Sequence, residues 1–325
     1  MPSAIRIHET GGPEVMQLES IDPGKPGPGQ VLVKQTAIGL NFIDVYDRTG
    51  LYPMPLPGGL GREAAGFVLA IGARVKGFKR GDRVAYVLNN TGAYCDVRNV
   101  PADRLVKLPK GVSNEQAAVL MLKGLTAHYL IRRTHRVTKG DTLLVYAAAG
   151  GVGLILTQWA RSLGARVIGV VGSEAKAVIA KKAGCQHVLL QDRVDLAAAV
   201  KKLTKGVGVD VVYDSIGKDT FLPSLDCLRP RGLMVSFGNA SGPVPPISIL
   251  ELTKRGSLFL TRPSLFGYIA ARADLESAAR ETFAALKAKR FKLQINQRYA
   301  LAAAAQAHRD LEARKTTGAT VLIPA

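Results

Sequence analysis

From Ile5 to about Lys107, short apolar runs alternate with turn-forming residues. The runs are VLVKQTAIGL (31–40), AAGFVLAIG (64–72), RVAYVL (83–88) and AYCDVRNVP (93–101), separated by turn stretches such as DPGKPGPGQ (22–30) and PMPLPGGLG (53–61). Short strands punctuated by Gly and Pro predict a small β-barrel. Ser113 ahead of NEQAAVLMLKG predicts a helix N-cap, with Glu115 and Gln116 in the first turn. Beyond about Gly124 the rhythm changes. Strands are predicted at 143–148, 166–171, 187–190, 209–214, 232–237 and 257–261, with helices at 151–163, 174–183, 194–204 and 219–228. Short apolar strands alternating with helices imply an α/β, doubly wound parallel sheet covered on both faces. The tail holds helices at about 273–289 and 302–313 and a closing strand, ATVLIP. The pattern divides the chain into a barrel domain (1–123), a parallel-sheet domain (124–265) and a C-terminal segment (266–325) that returns to the first.

The join between the first predicted sheet strand and its helix carries chemistry. LLVYAAAGGVG (143–153) is a buried strand breaking into small residues and glycine, followed by the helical LILTQWARSL. Backbone N–H groups at such a helix start lack intrahelical partners and lie at the positive end of the helix dipole. Ala148, Gly150 and Gly153 occupy the three glycine positions of a dinucleotide fingerprint, and Gly150, Gly151, Val152 and Gly153 are the candidates to cradle a pyrophosphate. An NAD-binding unit places a carboxylate at the end of its second strand to hold the ribose 2′-hydroxyl. Here RVIGVV ends at Val171 and runs into Gly172 and Ser173, with Lys176 one turn into the next helix; Glu174 falls after the strand. Open space, a hydroxyl and an ammonium suit a 2′-phosphate, which predicts NADPH over NADH. Read otherwise, Lys176 is a solvated helix lysine.

Composition narrows the partners. The 325 residues include 44 basic and 25 acidic side chains, a formal net charge of +19, with 47% hydrophobic residues. The densest basic groups are Arg132, Arg133, Arg136 and Lys139, and Lys287, Lys289, Arg290 and Lys292. Neither interleaves with aromatic stacking residues, so solvated helix faces are favoured over a nucleic-acid surface. Cys95, Cys185 and Cys227 are far apart, which argues against a disulfide framework and for a reducing cytoplasm. No apolar run is long enough to span a membrane, and MPSAIRIHETGG lacks the apolar core of a signal peptide.

Motifs in both halves then become specific. NFIDVYDRTGLYP (41–53), GREAAGFV (61–68), GDRVAY (81–86), LKGLTA (122–127), AAAGGVG (147–153), VVYDSIG (211–217), GLMVSFGNASGP (232–243) and TRPSL (261–265) resemble the zinc-free quinone oxidoreductases, the zeta-crystallin-like branch of the medium-chain dehydrogenase/reductase superfamily. The resemblance spans essentially the whole chain. It implies a GroES-like barrel, an NADPH-binding Rossmann domain, an active site in the cleft between them, reduction of a small quinone, and a homodimer. Zinc-dependent relatives hold their metal through a Cys in the early loop and a His in a Gly-His-Glu motif. Asn41 and Arg62 stand at those places here, so the thiolate and the imidazole are both gone.

The resemblance also nominates residues. Asn41 and Asp44 are expected on a loop facing the cleft, Asn41 orienting the nicotinamide ribose or a substrate oxygen; the alternative is an Asn-stabilised turn. Tyr46 and Tyr52 each join an aromatic face to a hydroxyl and are candidates to stack on a quinone and donate to its oxygen; the alternative is packing at the barrel surface. Thr126, Ser215, Phe237, Gly238, Arg262, Ser264 and Arg314 are further cofactor candidates, Arg314 as the position that folds back towards the cofactor phosphate. Where many relatives carry a tyrosine beside the 2′-phosphate this chain has Gln191, which donates a hydrogen bond but does not pack as a ring, so a weaker NADPH preference than in those relatives is expected unless nearby Arg193 compensates. The five histidines show no metal spacing. Two alternatives stand beside quinone reduction: an NADPH-dependent enal or enone reductase, and an RNA-binding or structural crystallin-like protein that has lost turnover. If Lys176 meets a 2′-phosphate, Lys176→Glu raises KM for NADPH about tenfold or more while leaving KM for NADH nearly unchanged. Equal effects on the two cofactors in steady-state kinetics remove that role.

Overall fold

Apolar residues in β3 (Gln30–Leu40) alternate over its first half and then run continuously, burying Val31, Val33, Ile38 and Leu40. That strand is the spine of the first of two units. The computed structural model describes residues 1–325; the first unit comprises Met1–Leu125, Tyr268–Lys287 and Leu293–Ala325, and the second comprises Thr126–Gly267 and Ala288–Lys292.

In the first unit β1 (Ser3–Ile7), β2 (Gln17–Ser20) and the short β4 (Gly58–Gly59) form a small antiparallel sheet. The main sheet runs β15 (Ile295–Ala300), β16 (Ala319–Ile323), β3, β5 (Glu63–Ile71), β6 (Arg83–Val87) and β8 (Val106–Lys107), with β7 (Val97–Pro101) also pairing β3. The β3–β5 register shifts twice, between Leu32 and Val33 and between Gln35 and Ala37. Gly66 lies at that ladder with the Lys34 carbonyl where a Cβ would stand, so any side chain there would force the strands apart. The core gathers Ile7, Val33, Ile38, Leu60, Tyr86 and Tyr94 with Leu301, Ala304 and Leu322 from the C-terminal segment. The tail therefore completes the barrel. Helix α1 (Phe42–Arg48) follows β3 directly, and α2 (Asn114–Val119) begins at Ser113, whose hydroxyl accepts from Gln116 N–H at 3.1 Å. The stretch 93–96, expected as strand, is buried but irregular. Its backbone is met by one bridge to Ala4 and by the Gln35 amide, which donates to the Ala93 carbonyl at 2.9 Å. The helical segment after α2 is also not uniform: π-helical turns at Leu120–Gly124 and Leu130–Thr134 flank α3 (Leu125–Tyr129).

The second unit is a six-stranded sheet in which every pairing is parallel. Its order is β11 (His187–Leu190), β10 (Arg166–Val171), β9 (Thr142–Tyr146), β12 (Val209–Asp214), β13 (Leu228–Ser236) and β14 (Phe259–Thr261). β9 is central and buried at every residue. The chain winds outward from it in one direction and then, from β12, in the other, the arrangement that leaves a switch point at the carboxyl edge. Helices α4 (Gly151–Ser162), α5 (Glu174–Lys182), α6 (Leu196–Leu203) and α7 (Phe221–Asp226) connect the strands. β13 starts earlier than its apolar pattern suggests, because Leu228 pairs with Val209 before a register shift. Short helices α8 (Leu250–Lys254) and α9 (Leu265–Tyr268) precede α10 (Arg272–Lys287) and α11 (Ala304–Glu312), which belong to the first unit.

Candidate active site

Because the six strands are parallel, the residues that follow them collect on one edge whatever their separation in sequence. After β9 the chain turns through Ala147, at φ +48°, and the Gly150 N–H donates back to the Ala147 carbonyl at 2.8 Å. Gly150 caps α4, and Leu154 N–H is bonded to the Gly150 carbonyl at 2.9 Å. The N–H groups of Gly151, Val152 and Gly153 therefore have no acceptor within the helix and face outward at its positive end. A Cβ on Gly153 would meet the Ala147 carbonyl and lie 2.9 Å from Ala148 Cα, so only glycine lets the helix pack onto this turn.

Past β10, the place of a Cβ on Gly172 is open space. The Ser173 hydroxyl caps α5 by accepting from Lys176 N–H at 3.4 Å. Exposed Glu174 and Arg193 face each other at 3.4 Å, and Gln191 N–H extends the β10 ladder to the Val171 carbonyl at 3.0 Å. Past β12, buried Asp214 accepts from Ile216 N–H at 2.7 Å and from the Thr220 hydroxyl at 2.8 Å. Burial nevertheless holds its carboxyl above the usual range. Phe237 N–H donates to the Asp214 carbonyl at 2.7 Å, and Gly238 closes against the Ser215 carbonyl, leaving no room for a side chain. Arg262 and Ser264 are exposed after β14, and Thr126, buried, is the first residue of this unit. Arg314 lies in the first unit, on the turn that ends α11, with a left-handed backbone at φ +57°.

In the first unit, Asn41, Tyr46 and Tyr52 gather at α1. The expected open loop is instead the first turn of a helix, and Asn41 and Asp44 are both buried, at 5% and 0% exposure. The Asn41 amide is engaged at both ends: Oδ1 accepts from the Lys123 ammonium at 2.6 Å, and Nδ2 donates to Glu63 Oε1 at 2.8 Å. Lys123 also donates to the Leu40 carbonyl at 2.9 Å and lies 3.4 Å from Glu63 Oε1, while the Leu122 N–H donates to Glu63 Oε2 at 2.5 Å. Burial pushes the Glu63 carboxyl up, and the ammonium opposes that shift. Lys123 and Glu63 form the part of the arrangement that residue type alone does not reveal. A lysine inside an apolar helical run and a glutamate opening a strand were the available signals.

A second buried chain adjoins the first. Asp44 Oδ2 accepts from Asn41 N–H and from the Tyr94 hydroxyl, each at 2.8 Å. The Tyr94 oxygen is 3.1 Å from His308 Nε2, and buried Arg48, 3.5 Å from His308 Nδ1, donates to Glu312 at 2.7 Å. Arg62 grips Asp47 with two hydrogen bonds of 2.8 and 2.6 Å. Tyr46 and Tyr52 meet edge to face with centroids 5.3 Å apart, and Phe42 extends the cluster to Tyr46 at 5.8 Å. The Tyr52 N–H donates to the Tyr46 carbonyl at 3.1 Å, closing the turn through Gly50.

Known proteins share both units. The alcohol dehydrogenase GroES-like domain matches residues 27–141, and the zinc-binding dehydrogenase domain matches residues 151–285. A quinone oxidoreductase of Pseudomonas aeruginosa is 49% identical over 325 residues, covering all of both chains. The chain belongs to the quinone oxidoreductases of the medium-chain dehydrogenase/reductase superfamily. The crystal structure of Escherichia coli quinone oxidoreductase complexed with NADPH superposes with a TM-score of 0.97 at 48% identity, covering 99% of this chain and 100% of the other. A 2-haloacrylate reductase of a Burkholderia species is 46% identical over 100% of this chain and 99% of its own.

One domain description names zinc, and the donor set of this quinone oxidoreductase does not suit it. Asn41 is neutral and already bonded to an ammonium, and Arg62 is a cation held by Asp47. A divalent ion at this place would face Lys123 rather than a thiolate and an imidazole. No cluster of three His, Cys, Asp or Glu side chains offers another site.

The buried cluster makes stability depend on pH in two opposed ways. Burial, reinforced by Asp47, raises the Asp44 carboxyl from 3.8 to about 7. Its contribution is complete below pH 3.8 and is lost as pH rises through about 7. Burial, reinforced by Arg48, lowers the His308 imidazole from 6.5 to about 3, so its contribution is present above 6.5 and is lost as pH falls towards 3. Asp44→Asn keeps an acceptor for Tyr94 and Asn41 but no longer titrates. Relative to the parent, its melting temperature is expected to increase as pH rises from 4 to 7, because only the parent loses the Asp44 contribution over that range; calorimetry across it checks this.

Proposed function

We propose that this chain catalyses zinc-independent, NADPH-dependent reduction of quinones. The observation that carries the reading is full-length identity of 49% to a quinone oxidoreductase, coupled with a sheet edge that has Gly172, Ser173 and Lys176 where an NAD-binding unit has a carboxylate. When bound, NADPH supplies the reducing equivalents at C4 of its nicotinamide. The chain's own groups bind and orient. The N–H groups of Gly151, Val152 and Gly153, next to Gly150, receive the pyrophosphate. Ser173, Lys176 and Gln191 serve the 2′-phosphate end, and Thr126, Ser215, Phe237, Gly238, Arg262, Ser264 and Arg314 supply the remaining cofactor contacts. Tyr46 backs Tyr52, whose ring offers a flat aromatic surface and whose hydroxyl donates to the acceptor oxygen as charge develops there. Asn41, its amide already bonded at both ends, positions α1. Catalysis rests on proximity and orientation.

A second reading, reduction of an electron-poor C=C bond, is favoured by the 46% identity to a 2-haloacrylate reductase. The experiment is NADPH oxidation with benzoquinone or phenanthrenequinone, with NADH and an enone in parallel after chelator treatment. Fast, chelator-resistant, NADPH-preferring quinone turnover is expected; turnover with the enone alone selects the second reading. Tyr52→Phe is expected to slow quinone turnover about tenfold or more while leaving KM for NADPH unchanged. Unaffected turnover removes the hydroxyl from the chemistry.

The working form we propose is a homodimer joined through β14. This strand ends the sheet with an unpaired edge and exposes Phe259 at 61% and Leu260 at 41%; Leu250 of α8 and Ile249 just before it are exposed too. Such an apolar edge invites a second copy. Phe259→Lys with Leu260→Lys is expected to convert a dimer to a monomer in analytical ultracentrifugation; an unchanged sedimentation coefficient rejects this interface. Three buried free thiols suit a reducing cytoplasm, and no helix is long and apolar enough to cross a membrane.

A further inference from the structure

Between α10 and the loops that carry Phe78 and Asp103 lies a cavity of about 830 Å3, lined wholly by the first unit. That is the size of a small-molecule site, typically about 300–1,000 Å3. Its apolar lining comes from Phe78, Val106 and Phe283, with Ala102, Pro109 and Ala284. Its charge is unbalanced: five of the lining side chains are cations and two are acids. Both acids are already engaged, Asp103 with Arg104 at 3.3 Å and Glu276 with Arg272 at 2.7 Å. Arg272 also donates to the Asp103 and Leu105 carbonyls, at 2.8 and 2.6 Å, and Lys107 is held by Asp82 at 2.8 Å. The other three cations are not neutralised. Lys76 and Lys287 meet no carboxylate at ion-pair distance, and Arg280 meets only the Ser277 hydroxyl, at 3.2 Å. Arg280, Phe283, Ala284 and Lys287 recur at three- and four-residue spacing, so exposed Ala284 lies between two positive charges on one face of α10, with buried Phe283 also lining the cavity.

The geometry points to a binding site for a free single-chain amphipathic anion, its apolar chain on Phe78, Val106 and Phe283 and its anionic head against Lys76, Arg280 and Lys287. Unneutralised cations around an apolar floor select the anion by charge and the chain by burial. The concavity favours one molecule over a flat lipid surface. No residue of this cavity is among those proposed to hold NADPH or quinone, so the site is independent of the turnover reading.

Calorimetric titration of decanoate, below its micelle-forming concentration and with excess NADPH present, tests the site. Saturable one-to-one binding of decanoate is expected, with decylammonium at least about tenfold weaker. Arg280→Glu with Lys287→Glu, both exposed positions, is expected to weaken decanoate about tenfold or more and to favour decylammonium. Ala284→Trp, which fills the groove, is expected to abolish binding of both. Unchanged NADPH oxidation with benzoquinone in the variants shows that they are folded. The proposal is overturned if no saturable binding occurs, if both amphiphiles bind equally, if charge reversal leaves decanoate affinity unchanged, or if only anionic phosphatidylglycerol vesicles are bound.

Discussion

The constraint on which the first unit turns is the burial of one carboxylate. Glu63 opens β5 with no exposed surface and is met from two directions, by the side chain of Asn41 at the start of α1 and by the backbone and side chain of residues 122 and 123. Removing a carboxylate from water costs several kcal/mol, offset only when its lone pairs are filled and an opposite charge is close. Lys123 and Asn41 meet both conditions at once. The start of α1 is thereby fixed against β5, and with it the place of Tyr46 and Tyr52.

The two units solve the problem of holding charge differently. In the second, the positive end of α4 and a glycine turn offer backbone N–H groups to an anion, with no ionised side chain in the turn itself. In the first, charge is buried and matched by side chains: Arg62 to Asp47, Lys123 to Glu63, Arg48 to Glu312. The excess of basic residues lies elsewhere. Part of it rings the groove beside α10, where cations outnumber acids, and that local excess says more about a ligand than the net charge of the whole chain.

Much of the second unit was legible along the chain. The predicted strands at 166–171 and 209–214 coincide with β10 and β12, and the glycine turn stands where the apolar run breaks. Central parallel strands are apolar on both faces, so their pattern survives without knowledge of their neighbours. The Ser113 cap was equally local, since its partner is three residues away. The stretch 93–96 misled because its apolar residues, Ala93 and Tyr94, serve the barrel core while its backbone makes only a single bridge, to Ala4, rather than a continuous ladder.

The sequence by itself determined the fold class and the family, because each rests on residues close together in the chain or on a repeating apolar period. What surrounds Asn41 was decided only by the tertiary structure. The family resemblance suggested an amide that orients a ribose or a substrate oxygen; folding brings Glu63 from 22 residues away and Lys123 from 82 residues away to make a hydrogen bond at each end of that amide. A hydrogen bond across such a span leaves no periodicity to read. It exists because a carboxylate and an ammonium buried in one core must find each other, and the fold decides which amide lies between them.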